Sequence, residues 1–146
     1  MVTKIIKILF LISISVFITY SLILFLNYSE VPETVVSHIN IKGEADAYSN
    51  KNSLLIATGV NLIILIVIGL LIKNPQSANY PFEITDENRE RSYYKMQLLL
   101  SIVAIITTTV FSYMIFKATD FLDSFMYLIV YIIAMPILTL LFFKNN

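Results

Sequence analysis

Charged positions along the chain are segregated from long apolar stretches. Four runs of 19 residues carry no charge at all: 8–26, 54–72, 98–116 and 125–143. An α-helix rises about 1.5 Å per residue, so each run spans about 28 Å, close to the hydrocarbon thickness of a bilayer. Buried helices of a soluble protein would still show polar stripes, and these runs do not. The pattern predicts an all-α membrane protein with four transmembrane helices and a short structured extracytoplasmic loop between helices 1 and 2. Residues 1–146 form one integral membrane domain on this reading, with the lipid bilayer as its first partner.

Composition agrees. The chain of 146 residues is 58% hydrophobic and only 14% charged, against about a quarter charged in an ordinary soluble domain. Residues 1–7 are short and basic through Lys4 and Lys7, as at the start of a signal peptide. The apolar run that follows is too long for one and ends at no small-residue cleavage site, so a retained first helix is expected. The hydroxyls of Ser13, Ser15, Thr19 and Ser21 within it can bond back to the backbone one turn earlier. Asn61, an amide inside the second run, is expected to bond a neighbouring helix. In the third run Ser101, Ala104, Thr108 and Ser112 follow at spacings of three, four and four, which lines small residues along one face for close helix packing. Pro136 predicts a kink in the fourth.

Charge sets the expected orientation. Lys4, Lys7, Lys73, Arg89, Arg91, Lys95 and Lys144 fall on one side, and Lys42, Lys51 and Lys117 on the other. Cytoplasmic loops carry the excess of Lys and Arg, so both termini are expected in the cytoplasm. In the inner loop, Asn74-Pro75 and Tyr80-Pro81 mark turns. Thr85 is the expected N-cap of a helix running from Asp86 into Phe116, with Asp86 and Glu87 at its positive end. That helix is longer than the bilayer core, so its first turns protrude, with Tyr93 and Tyr94 at headgroup level.

The outer segment 27–53 concentrates most of the chain's distinctive polar chemistry. It contains the one histidine, His38, four of the ten carboxylates, and Gly43, the one glycine outside the apolar runs. Ile39 and Ile41 alternate with His38, Asn40 and Lys42, a period of two that predicts a short extended segment with the polar trio on one face. Gly43 marks a turn, and Glu44 and Asp46 follow within reach of that face. Val31, Val35 and Val36 are too apolar for a solvated loop, which predicts that the loop folds down onto the helix ends.

Several function classes lack their chemistry here. With no cysteine there is no disulfide, thiolate metal site or thiol nucleophile. The formal net charge of zero gives no reason to expect nucleic acid. Ser37 adjoins His38, but neighbours on an extended strand point to opposite faces. His38 with Glu44 and Asp46 is a weak metal set with no spacing signature. The favoured reading is a structural hydrogen bond from His38 to a loop carboxylate, Asp46, whose loss would cost about 1–3 kcal/mol by stranding a poorly solvated partner. No enzyme, cofactor or metal is expected.

The outer loop resembles something specific. Val31-Pro32-Glu33, His38, Asn40, Gly43, Asp46 and Lys51 resemble the loop of an uncharacterised bacterial integral-membrane domain. Asn79-Tyr80-Pro81, Ile84-Thr85, Glu87-Asn88 and Arg91 resemble that domain's second motif. Val36 stands where the pattern has its second proline, and Ile39 replaces its phenylalanine. The same domain forms the N-terminal part of SdpI-like immunity proteins. The resemblance implies a binding and protection module, immunity or sensing against a membrane-active peptide, with that peptide or another membrane protein as partner. It transfers no catalytic residues. The alternative is an accessory subunit of a transporter or permease, which would need polar groups converging at mid-membrane.

Overall fold

The computed structural model describes residues 2–40, 42 and 44–119. In chain order they form α1 (Lys4–Leu26), β1 (Thr34–Ile39), β2 (Ala45–Asn50), α2 (Asn52–Lys73), a single 3₁₀ turn (Pro75–Ser77) and α3 (Arg89–Ala118). All three α-helices are long and apolar enough to cross a membrane, and they contain the runs expected at 8–26, 54–72 and 98–116. The run expected as a fourth span, 125–143 with Pro136, lies outside the described residues.

Along the middle of α3 the buried face is small or polar rather than bulky and apolar. Ser101, Ala104, Thr108 and Ser112 are all fully buried, while Leu99, Ile102, Ile106 and Val110 of the same helix are exposed. Between helices in lipid there is no hydrophobic gain, because acyl chains are as apolar as leucine. Close backbone approach and interhelical hydrogen bonds decide the packed face instead. The stripe read from the sequence is therefore the face through which α3 packs. It makes α3 the central helix: α1 and α2 both pack extensively on it and touch each other little.

Two apolar clusters hold the ends of the bundle. At one end Tyr20, Leu24, Leu54, Ile115 and Phe116 pack with Val31 and Val35 of the connection between α1 and α2. At the other, Ile6, Leu65, Ile68, Ile72 and Ala104 pack together, with Phe10 against them. There the buried Gln97 side chain of α3 donates from Nε2 to the Ile72 carbonyl at 2.7 Å, satisfying an acceptor in the last turn of α2 that the helix itself leaves open.

Two local expectations are corrected. Thr85 is not the N-cap of α3: the cap is Asn88, without a side-chain capping bond, and α3 starts at Arg89. Residues 86–88 form a separate turn closed by the Arg89 amide on the Thr85 carbonyl at 3.0 Å. The Asn88 carboxamide causes this, because its oxygen accepts from the Thr85 amide (3.0 Å) and its nitrogen donates to the Glu83 carbonyl (3.0 Å). Even so, 30 residues give α3 a length of about 45 Å, well beyond a hydrocarbon core of about 30 Å. Second, the segment between α1 and α2 is a paired hairpin rather than a single extended stretch.

Hydroxyls in α1 behave as expected for three of four positions. Ser13, Ser15 and Thr19 donate to the carbonyls of Phe10, Leu11 and Ser15 at 2.7, 2.9 and 2.8 Å. Ser21 returns no such bond.

The two helical glycines of α2 differ in their surroundings. A Cβ at Gly69 would lie 3.0 Å from the Phe10 ring, whereas one at Gly59 would meet nothing within 4 Å. Gly69→Val should therefore destabilise the bundle by about 1–3 kcal/mol through overpacking, and Gly59→Ala should be tolerated. Unfolding titrations in mixed micelles check this. Equal effects at both sites would contradict the packing described.

Candidate functional site

The hairpin is built from β1 and β2, antiparallel, with Thr34 opposite Asn50, Val35 opposite Ser49 and Val36 opposite Tyr48. The register then shifts twice, so that His38 faces Ala47 and Ile39 faces Ala45. Ser37 on β1 and Asp46 on β2 are the residues skipped. Such bulges re-aim side chains, and here His38 Nδ1 and Asp46 Oδ1 are brought into direct contact.

Asn40 organises the tip. Its side-chain oxygen accepts from the Lys42 and Glu44 amides at 2.9 and 3.0 Å. Its own amide donates to the Glu44 carbonyl at 2.9 Å, and its Nδ2 donates to the Glu44 carboxylate at 3.1 Å. An asparagine that binds the backbone two residues on is a turn-forming device in its own right. Gly43 and Ile41, on which the expected turn and alternation partly rest, lie outside the described residues.

Lys51 closes the neck. Its amide donates to the Glu33 carbonyl at 2.9 Å, and its Nζ pairs with the Glu33 carboxylate at 2.8 Å. The ammonium also lies 5.2 Å from the centre of the Tyr28 ring, within cation–π range. The Lys51 side chain is only 17% exposed, which makes it the better shielded of the hairpin's charged groups. Tyr28 adds a hydrogen bond to Asn52 Oδ1 at 2.8 Å. The neck thus ties the end of α1 to the start of α2, and Val31 and Val35 seat the hairpin on the helix ends as expected. Pro32 is exposed beside the neck.

Beneath the hairpin a polar row crosses the bundle. Asn61 Nδ2 donates to the Tyr20 hydroxyl at 2.8 Å, and Thr108 Oγ1 donates to Asn61 Oδ1 at a weaker 3.4 Å. All three side chains are fully buried. The interhelical role read for Asn61 is realised, with one partner on each neighbouring helix. Tyr20 is a participant that the sequence reading does not single out, although a tyrosine inside an uncharged run is a usable signal: its hydroxyl must find a partner when buried.

The residues expected as a second motif divide. Tyr80 donates to the Pro75 carbonyl at 2.9 Å and stacks in a tilted arrangement on Tyr93, ring centres 6.0 Å apart. Desolvation, and secondarily Tyr93, push its phenol above the ordinary tyrosine value, so it stays a donor. Thr85 and Asn88 form the turn before α3, while Asn79, Pro81 and Arg91 are exposed. These residues shape the connection between α2 and α3, at the opposite end of the bundle from the hairpin. The structure therefore does not gather the two motifs into one site.

Comparison with known proteins places the chain. Residues 14–62 match the family described as Domain of unknown function (DUF1648). An uncharacterized protein of the archaeon Archaeoglobus fulgidus is 31% identical over 132 residues, covering 77% of this chain and 72% of that protein. The chain belongs to the DUF1648 family. No solved structure matches it. The matched stretch begins in α1 and ends in α2, so it takes in Tyr20, the whole hairpin and Asn61. Residues 79–91 fall outside it. The relative is archaeal, whereas the resemblance carried by the loop motifs is to bacterial proteins.

This geometry makes the hairpin pair and the buried row unequal in energy. The His38 and Asp46 side chains are 66% and 44% exposed, so the stranded-partner argument fails, and His38→Ala or Asp46→Ala should cost below about 1 kcal/mol. Asn61→Ala should cost more, about 0.6–2 kcal/mol. In a double-mutant cycle with Tyr20→Phe its effect should be non-additive. Denaturation in mixed micelles gives both numbers, and strict additivity at Tyr20 and Asn61 would remove the proposed coupling.

Proposed function

We propose that this DUF1648 protein is a four-span cell-membrane protein, both termini cytoplasmic, whose outward hairpin is the binding part of an immunity or sensing module against a membrane-active peptide. The observation carrying this reading is the gathering of Pro32, His38, Asn40, Asp46 and Lys51 on one hairpin seated on the helix ends. Asn40 and Lys51 are committed to its architecture, at the tip and neck. His38 and Asp46 stand exposed between them as an adaptable polar face. The resemblance to SdpI-like proteins supplies the peptide partner.

The orientation rests on the Lys and Arg distribution. The hairpin end holds Lys42, Lys51 and Lys117, and the opposite end holds Lys4, Lys7, Lys73, Arg89, Arg91 and Lys95. A transporter-accessory role finds less support, because among the described residues Tyr20, Asn61 and Thr108 satisfy one another and only the Ser21 and Ser112 hydroxyls remain buried without a partner. Among the described residues no group of three or more His, Cys, Asp or Glu side chains could hold a metal ion, and no nucleophile–base constellation suggests an enzyme.

Single cysteines introduced into the cysteine-free chain test the orientation. Lys42→Cys should react with an impermeant thiol reagent in intact cells, and Glu87→Cys should react only after permeabilisation. The reverse pattern would place the hairpin in the cytoplasm. The protective role is tested by expressing the protein in a sensitive strain and challenging it with a membrane-active peptide encoded nearby. Unmodified protein should raise survival. His38→Ala and Asp46→Ala should lose protection at unchanged membrane levels, since their effect on stability is small. Unchanged survival with abundant unmodified protein would end the immunity reading for that peptide.

A further inference from the structure

A second site lies at the end of the bundle away from the hairpin. Thr3, Pro75, Glu90, Tyr93, Tyr94 and Gln97 line a cleft of about 290 Å³. Three separate parts of the chain build it: the start of α1, the turn after α2, and the first turns of α3. It is small beside drug-sized pockets, which begin at about 300 Å³, and so suits a compact group.

The lining has a consistent chemistry. Its one formal charge is the Glu90 carboxylate, which has no ion pair among the described residues; the nearby Arg89 is paired with Asp86 at 2.6 Å. Gln97 is almost fully buried, and its amide nitrogen is already committed to the Ile72 carbonyl, which leaves its carbonyl oxygen as an acceptor. Tyr93 and Tyr94 contribute two aromatic rings. A carboxylate, an amide oxygen and aromatic faces are the groups that recognise an organic cation. No lysine or arginine lines the cleft. Yet Lys4, Lys73, Arg89, Arg91 and Lys95 occur within a few residues of its lining and are all exposed, outnumbering the exposed Asp86 and Glu87 at the same distance along the chain. An isolated cation would be repelled by that surround. A zwitterion would not, because its anionic part meets the basic rim while its ammonium enters the cleft.

We propose that this cleft binds the ammonium group of a zwitterionic ligand, with a phosphate directed to the basic residues around it. The source is either a phospholipid headgroup or a free phosphorylated amine. The length of α3 supports the first, since its protruding turns hold Tyr93 and Tyr94 where headgroups lie. This inference stands apart from the peptide-binding reading, because it concerns the opposite end of the molecule.

Native mass spectrometry of the full chain released from detergent tests it, with phosphatidylethanolamine, phosphatidylcholine and phosphatidylglycerol offered at equal concentration. Either ammonium-bearing lipid should be retained in preference to phosphatidylglycerol. Glu90→Gln, at an exposed position, should reduce that retention about fivefold, and Tyr94→Leu should act in the same direction. Retention of phosphatidylglycerol should not fall in either variant. Competition identifies the source: displacement by millimolar phosphocholine assigns the site to soluble phosphorylated amines as well, and resistance to it assigns the site to lipid. Preferential retention of phosphatidylglycerol, equal retention of all three, or retention unchanged by Glu90→Gln would each overturn the proposal. The comparison among lipids on unmodified protein decides even if a variant fails to accumulate.

Discussion

The hydrogen bonds that Asn61 donates to Tyr20 and accepts from Thr108 are the one place, among the described residues, where all three helices meet through polar side chains. In hydrocarbon no water can satisfy these groups, so each helix must be rotated to bring its partner inward. That rotation has consequences along the whole length of the bundle. Turning Thr108 inward also turns in Ser101, Ala104 and Ser112 and sends Leu99, Ile102, Ile106 and Val110 outward. Turning Tyr20 inward carries Leu24 into the apolar cluster on which the hairpin rests. Although each bond is worth little by itself, about 0.6 kcal/mol on average for such contacts, together they fix which face of each helix is the inside.

The positions of the three described helices are legible in the sequence because exclusion of charge over 19 residues is a strong constraint, one that little besides a membrane crossing imposes. So are the α3 stripe, the bonding role of Asn61 and the seating of Val31 and Val35, because each rests on one residue type with one physical need. The second strand is not legible. Ala45-Asp46-Ala47-Tyr48-Ser49-Asn50 has little of the β-branched, aromatic pattern of a strand, and it is held in pairing by β1 and by the neck rather than by its own preference. The start of α3 is misplaced by local rules for a related reason. Thr85 and Asn88 are both good capping residues, and the choice between them depends on the bond from Asn88 to the Glu83 carbonyl, which no local rule reveals. The His38–Asp46 pair is readable from the sequence but its worth is not, because exposure depends on the bulged register.

The two ends of the molecule differ in kind. At the hairpin end the longer connection, residues 27–51, is rigidified by side chains that bond their own backbone, and what remains exposed is a polar surface. At the other end the connection between α2 and α3 is shorter, aromatic and acidic, and its Pro75 lines a cleft with the starts of α1 and α3. The residues matched to the DUF1648 family model, 14–62, lie at the first end and stop within α2.

The doubled bulge has a bearing on how copies of this protein live together. Membrane proteins of one kind share an orientation and a depth, so their hairpins drift in a single plane and meet edge to edge far more often than they would in free solution. A two-stranded sheet has two open edges, and a long regular edge would let neighbours zip into a continuous ribbon. With the ladder interrupted at Ser37 and again at Asp46, only the stretch beside Thr34, Val35 and Val36 keeps a regular repeat. That is too short a runner for a chain reaction of strand pairing, and it lets the protein be abundant in the plane without its caps knitting together.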